Sequence, residues 1–258
     1  MTGATMSTAP LGIIGGSGLT QLAELEVRHR EVVRTPYGEP SGALTFGTLA
    51  GGEAVFLARH GYGHTIAPHQ VNYCANVWAL RHAGVQRVVS VASVGGIRAD
   101  LGPGVIAVPH QLLDYTSGRR STFFEGPDQP VTHVDFTHPY AAAVREAILA
   151  AALAAGEAVV PEGVYATTQG PRLETAAEID RLERDGATMV GMTAMPEAVL
   201  AREIGLEYAT LAVVANHAAG RGQSNAGIRL EDINHVLQQG MARVRRILQA
   251  LLQTHGGA

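Results

Sequence analysis

The chain has 258 residues, 46% of them hydrophobic and 16% charged, enough for a full core and unlike a disordered polymer. Its formal net charge of −4, with no basic run, argues against a nucleic-acid or membrane-surface role. A single cysteine, Cys74, rules out an intramolecular disulfide and a cysteine-built zinc cluster and suits a reducing cytosol.

Residues 1–10 are small and polar, lack the charged and apolar regions of a signal peptide, and are expected to form a mobile tail. No apolar stretch is long and uninterrupted enough to span a bilayer. Leu11–Gly15 is a strand candidate ending in glycines. Ala43–Leu49 and Glu53–Ala58 read as a hairpin joined at Gly51-Gly52. Apolar residues at helical spacing (Val71, Cys74, Val77, Trp78) predict a helix over Val71–His82, stopped at Gly84, with Cys74 as inert core. Arg87–Val94 is an apolar run closed by Gly95-Gly96, and Val105–Val108 is another strand. Gln111–His138 reads as an irregular insert. Pro139–Ala155 is an Ala-rich helix with proline in its first turn and Gly156 at its end. Then come a strand at Val164–Thr168, a helix at Thr175–Arg184, a short strand at Met189–Met192 and a helix at Met195–Ile204. A buried strand at Ala209–Ala215 and a long helix at Leu230–Thr254 complete the chain. This alternation predicts one α/β domain over residues 11–258, a three-layer α/β/α arrangement around a central mixed sheet.

In open α/β sheets, ligands collect at the carboxyl ends of strands. Gly12–Gly18, "GIIGGSG", can offer backbone N–H groups and the Ser17 hydroxyl to an anion, or can simply be a tight turn. It is not a P-loop, because no Gly-Lys-Ser/Thr follows. It fails the dinucleotide pattern, because Gln21 stands in the third glycine's place. Arg59 and His60 follow a hydrophobic strand and suit a phosphate, although a solvated pair at a strand end would look the same. Ser93 and the glycines after it can serve the same anion. Thr167 and Thr168 close a strand just before Glu174, which is either a ligand-reading carboxylate or an ordinary first-turn acid. Thr193 opens a helix, and Met192 before it can pack under a sugar as a soft apolar surface. The buried strand ending in "VVANHAAG" delivers an uncharged amide, Asn216. His60, His64 and His69 lie in a loop without helical spacing, and His133, His138 and His217 are scattered, so no metal site is expected.

Taken together these stretches resemble the trimeric purine nucleoside phosphorylase and 5′-methylthioadenosine phosphorylase family. The likeness covers residues 11–252 and rests on Leu11–Gly18, "TPYGEPS", "LARHG", "VNYCANVWAL", "QGPRLET" and "GMTAMPEAVLARE" in the family's order. It implies a cytoplasmic homotrimeric pentosyltransferase in which phosphate displaces a purine from C1′ of a nucleoside, with no cofactor beyond phosphate as co-substrate. By this likeness Ser17, Arg59, His60, Ala92, Ser93 and Thr193 hold phosphate, and Gly191 and Met192 face the ribose. Leu173 stands where relatives often carry a stacking aromatic.

By the same likeness the base is expected to be read by Glu174 and Asn216, with Ala218 where methylthioadenosine enzymes place a second Asp. An Asn can donate to O6 or N7 of a 6-oxopurine, whereas a carboxylate facing O6 sets acceptor against acceptor and costs roughly 1–3 kcal/mol. Glu174 can accept the N1–H that hypoxanthine and guanine carry and adenine lacks. Leu230 and Ile233, with His133 from a neighbouring subunit, are expected to line the 5′ end, and His235 falls off that face. An apolar 5′ pocket beside a 6-oxopurine reader implies a methylthioinosine-type substrate, ahead of inosine or guanosine and of methylthioadenosine. A non-catalytic nucleoside-binding protein is the alternative of another class, and it would have no use for a phosphate cradle.

Overall fold

The apolar runs become the inner strands of one mixed sheet. The structure, a computed structural model, describes residues 9–127 and 129–256; most of the expected tail, residues 1–8, lies outside them. In chain order the elements are β1 (Leu11–Gly15), β2 (Glu26–Glu31), β3 (Leu44–Leu49), β4 (Gly52–Ala58), α1 (Tyr73–His82), β5 (Arg87–Gly96), β6 (Ile106–Ala107) and β7 (Gln111–Asp114). They continue with α2 (Ala142–Ala154), β8 (Val164–Thr167), α3 (Ala176–Arg184), β9 (Met189–Gly191), α4 (Ala194–Glu203), β10 (Glu207–His217) and α5 (Leu230–Gly256).

The strands run β2-β3-β4-β1-β5-β9-β8-β7, with β10 also on β5 and β6 on β10. The pairs β1–β4, β1–β5, β5–β10, β7–β8 and β8–β9 are parallel, whereas β2–β3, β3–β4, β5–β9 and β6–β10 are antiparallel. Alternate residues of the central strands feed opposite faces. Ile13, Val89, Leu211 and Val213 pack with α2 and α5 through Ile148, Val244, Ile247 and Leu248. Ile14 and Val88 pack on the other side with α1 and α4 through Val77, Leu80, Ala198 and Leu200. The expected helix–sheet–helix layering is therefore present.

The departures are local. The hairpin turns on Ala50 and Gly51, both at positive φ, and Gly52 already belongs to β4. The helix expected from Pro139 begins at Ala142, leaving the proline in the approach. Helix α1 starts at Tyr73, where the Asn72 side chain accepts from the Ala75 N–H as an N-cap. The Gln111–His138 insert is not wholly irregular: its first residues form β7, which extends the sheet beside β8. Strand β2 is exposed along its whole length and carries no apolar alternation, so only its pairing with β3 makes it a strand.

Gly96 at the end of β5 is a point of close approach. A Cβ there would lie 1.7 Å from the Leu101 carbonyl oxygen, a backbone atom that cannot swing away. Gly96→Ala is expected to destabilise the fold by about 1–3 kcal/mol or more, read as a lowered urea midpoint. An unchanged midpoint would contradict this packing.

Candidate active site

The site opens where two neighbours of β5 part. On one edge of β5, β1 pairs as far as Ser90, and β9 takes over only at Gly95. Val91 to Val94 therefore lack a ladder partner on that edge, while β10 continues along the other. The Val91 carbonyl is claimed by the Arg59 side chain at 3.0 Å. By strand alternation the N–H of Ser93, two residues on, faces the same gap. In front of the gap lies a cavity of about 520 Å³, a usual size for a small-molecule site. Ser17, Arg59, His60, Ala92, Ser93 and Thr193 all line it.

Behind the cavity Arg59 is fully buried against an equally buried carboxylate, Glu197. Its Nε and Nη2 donate to the two Glu197 oxygens at 2.7 and 2.9 Å, and Nη2 also donates to Ser90 Oγ at 2.6 Å. The Ser90 and Tyr208 hydroxyls each donate to Glu197 Oε1 at 2.8 Å. Burial works against the Arg59 charge, but Glu197 more than offsets it and holds the guanidinium above its ordinary pKa. The forked donor expected to face an anion is therefore turned inward. With one Nη1 hydrogen on Val91, the second Nη1 hydrogen is what Arg59 keeps for a ligand.

His60 is nearly buried, and its Nδ1 lies 2.8 Å from the Ile66 carbonyl. Burial, then the neighbouring Arg59 cation, push its pKa down to about 4, so the ring is neutral near pH 7. The unfolded chain takes up that proton first. The contribution to stability is complete above the ordinary histidine value and is lost as pH falls toward 4. His64 also lines the cavity, with Nε2 2.8 Å from Ser17 Oγ and a positive φ of 51°. Thr193 sits at the α4 N-cap, but its hydroxyl makes no capping bond and stays available to the cavity.

Further residues at the strand ends also line the cavity. A bulge between Val214 and Asn216 inserts Ala215 into β10 and re-aims the residues after it. Asn216 lines the cavity, and its Nδ2 donates to the His217 carbonyl at 2.6 Å. One amide hydrogen and Oδ1 remain free for a ligand. Glu174 lines the cavity too, and its Oε1 accepts from Thr168 Oγ1 at 2.6 Å. Leu173, Gly191, Met192, Ala218 and Ile233 are also lining residues. Gly191 must be glycine, because a Cβ there would fall 2.3 Å from the buried Tyr165 hydroxyl.

A match to the phosphorylase superfamily model extends over residues 10–253. The chain belongs to the phosphorylase superfamily. It is 54% identical to a probable S-methyl-5′-thioinosine phosphorylase of Pseudomonas syringae pv. tomato, over 93% of this chain and 97% of that one. It is 45% identical to a 6-oxopurine nucleoside phosphorylase of Pyrococcus furiosus, over 81% of this chain and 80% of that one. Among solved structures, the methylthioadenosine phosphorylase of Schistosoma mansoni in complex with adenine superposes with a TM-score of 0.91 at 32% identity. That superposition covers 97% of this chain and 93% of that chain.

Two expected positions lie elsewhere. Leu230 opens α5 with 68% of its surface exposed and does not line the cavity; Ile228 and Leu237 do so beside Ile233. The α5 face turned inward is thus set by Ile233 and Leu237, one helical turn apart. His133 is exposed and does not line the cavity of its own chain. Among the described residues no group of three or more His, Cys, Asp or Glu is placed to hold a metal ion, and no helix is long and apolar enough to cross a membrane.

Four contributors escaped the sequence reading as site residues: Glu197, His64, Thr168 and Arg119. Arg119, in the insert, donates to the carbonyls of Met192 at 2.8 Å, Met195 at 2.7 Å and Gln169 at 2.9 Å. It thereby pins the Met192–Met195 segment to the loop after β8. One of two adjacent arginines, Arg119 and Arg120, in an aperiodic segment gives no local sign of this. Glu197 is the easiest to test. Glu197→Ala would leave the Arg59 charge buried without its partner and is expected to cost about 3–5 kcal/mol in urea unfolding. Arg87→Ala, which breaks an exposed pair with Glu207, should cost no more than about 1 kcal/mol. Equal losses in the two variants would contradict the central role of the buried pair.

Proposed function

We propose that this chain is a nucleoside phosphorylase that cleaves S-methyl-5′-thioinosine with phosphate, releasing hypoxanthine and 5-methylthioribose 1-phosphate. The observation that carries the reading is the base-facing pair. Asn216 keeps an amide N–H for O6 or N7, Glu174 keeps a carboxylate oxygen for N1–H, and Ala218 removes the second carboxylate an adenine reader would use. Thr168 donates to Glu174 Oε1 and so orients the carboxyl group, leaving its other oxygen for the base. Family membership and the names of the Pseudomonas syringae and Pyrococcus furiosus relatives support the same class of substrate.

The chemistry asks little covalent work of the protein. The C1′–N9 bond breaks through an oxocarbenium-like state while a phosphate oxygen closes on C1′. Nucleoside and hydrogen phosphate together give the protonated base and the sugar phosphate dianion, so charge and protons balance. Ser17, the Arg59 Nη1, the Ser93 backbone and Thr193 hold the phosphate below the sugar, and Met192 packs against the ribose. Asn216 and Glu174 stabilise the charge that develops on the departing purine. No cofactor enters this scheme.

Ile66, Pro68, Ile228, Ile233 and Leu237 give the cavity an apolar share of its lining, which supports a methylthio group over a hydroxyl at the 5′ position. The second reading, inosine or guanosine as substrate, draws on Asn234, a polar residue on the same rim. A cytoplasmic homotrimer, with the exposed His133 reaching a neighbour's 5′ pocket, completes the proposal. So does a single phosphorylase domain over residues 11–258, supported by the one continuous sheet.

Side-by-side phosphorolysis of methylthioinosine, inosine and methylthioadenosine tests this. Methylthioinosine is expected to lead inosine by roughly 10–200-fold in kcat/KM, the range one apolar group supplies in a fitted pocket, with methylthioadenosine last. Combining Asn216→Asp with Ala218→Asp should move preference toward adenine. A wild-type preference for methylthioadenosine would overturn the base reading, and parity of inosine with methylthioinosine would overturn the 5′ reading.

A further inference from the structure

His60 makes one hydrogen bond whose direction is fixed. Its Nδ1 lies 2.8 Å from the Ile66 carbonyl oxygen, and a carbonyl can only accept. The proton of the ring is therefore on Nδ1. The groups that act on the ring are Arg59, His64 and Glu197. The Arg59 cation and burial both disfavour a second proton, so the ring stays neutral at and above pH 7. Nε2 then carries a lone pair and no hydrogen. Among the described residues it has no hydrogen-bond partner, it is not sealed off from the cavity, and His60 lines that cavity beside Ser17, Arg59 and Thr193. The phosphate cradle thus contains one acceptor among its donors.

An acceptor inside an anion site is a penalty for an unprotonated oxyanion and an advantage for one that carries a proton. We infer that His60 Nε2 accepts a hydrogen bond from the hydroxyl of hydrogen phosphate, so that the site selects singly protonated oxyanions and rejects sulfate of the same charge. The inference rests on the phosphate reading above and adds the protonation state of the ligand to it. It also assigns a geometry. The proton-bearing oxygen is tied to His60, which leaves the unprotonated oxygens to the N–H and hydroxyl donors and one of them free to close on C1′.

Binding of three anions to the intact wild-type protein tests this by calorimetry at pH 8. Phosphate and arsenate are then mostly dianions with one proton, and sulfate is a dianion with none. Phosphate and the larger arsenate are expected to bind with similar affinity, and sulfate about 10–100-fold more weakly, the range of one buried acceptor–acceptor mismatch. His60→Asn, whose amide can turn a donor toward the cavity, is expected to bring sulfate to within a few-fold of phosphate. Equal affinity of the wild type for phosphate and sulfate would overturn the inference while leaving the phosphate reading intact. Failure of all three anions to bind at millimolar concentration would overturn both.

Discussion

A guanidinium and a carboxylate, both fully withdrawn from water, set the frame of this site. Two such charges are costly to bury and hold together only with close geometry and further partners. Here Arg59 and Glu197 meet through two hydrogen bonds, and the Ser90 and Tyr208 hydroxyls both donate to Glu197 Oε1. The pair joins the end of β4 to α4 and β5. It also fills the place where β1 leaves β5, taking the Val91 carbonyl that has no strand partner there. Without it the strand edge facing the cavity would carry unpaired backbone groups beside an unpaired charge. The Arg59 N–H left toward the cavity and the open stretch of β5 beside it are therefore consequences of a buried network.

Specificity is built on the opposite principle, neutrality. The β10 bulge brings an amide to the cavity where a carboxylate would be an acceptor facing O6, and Ala218 leaves no second acid beside it. Thr168 donates to one Glu174 oxygen and leaves the other facing the cavity. In the proposed reading, base recognition depends on which groups can give a hydrogen and which cannot, in a setting where a mismatch is costly. Arg119, by tying the Met192 and Met195 carbonyls to that of Gln169 in the loop that precedes Glu174, couples the segment carrying Met192 to the one carrying Glu174.

Much of this was legible in the sequence, for physical reasons. The inner strands are continuous apolar runs and the helices carry caps and periodic faces, so β1, β5, β10, α1 and α3 were placed within a few residues. Ser17, His60, Ser93, Thr193, Glu174 and Asn216 announced themselves as polar residues at strand ends. What stayed hidden depends on the third dimension. Strand β2 has no apolar face, and β7 lies in a segment without periodicity. Arg59 was legible as a site residue but not as one whose fork is spent on Glu197, a partner 138 positions away. Helix α5 begins at Leu230 as expected and Ile233 lines the cavity, but Leu230 is exposed while Ile228 and Leu237 line it, which the turn at Gly222–Ser224 and its flanking loop, without a hydrophobic repeat, do not reveal.

The central proposal is that an uncharged amide and a carboxylate together read a 6-oxopurine. A crystal structure of the protein with hypoxanthine and phosphate tests it most directly. The account predicts Asn216 Nδ2 within hydrogen-bond distance, about 3 Å, of O6 or N7, and a Glu174 oxygen at a similar distance from N1 while the other stays on Thr168. A base bound with its O6 edge turned away from Asn216, or with N1 beyond the reach of Glu174, would contradict it.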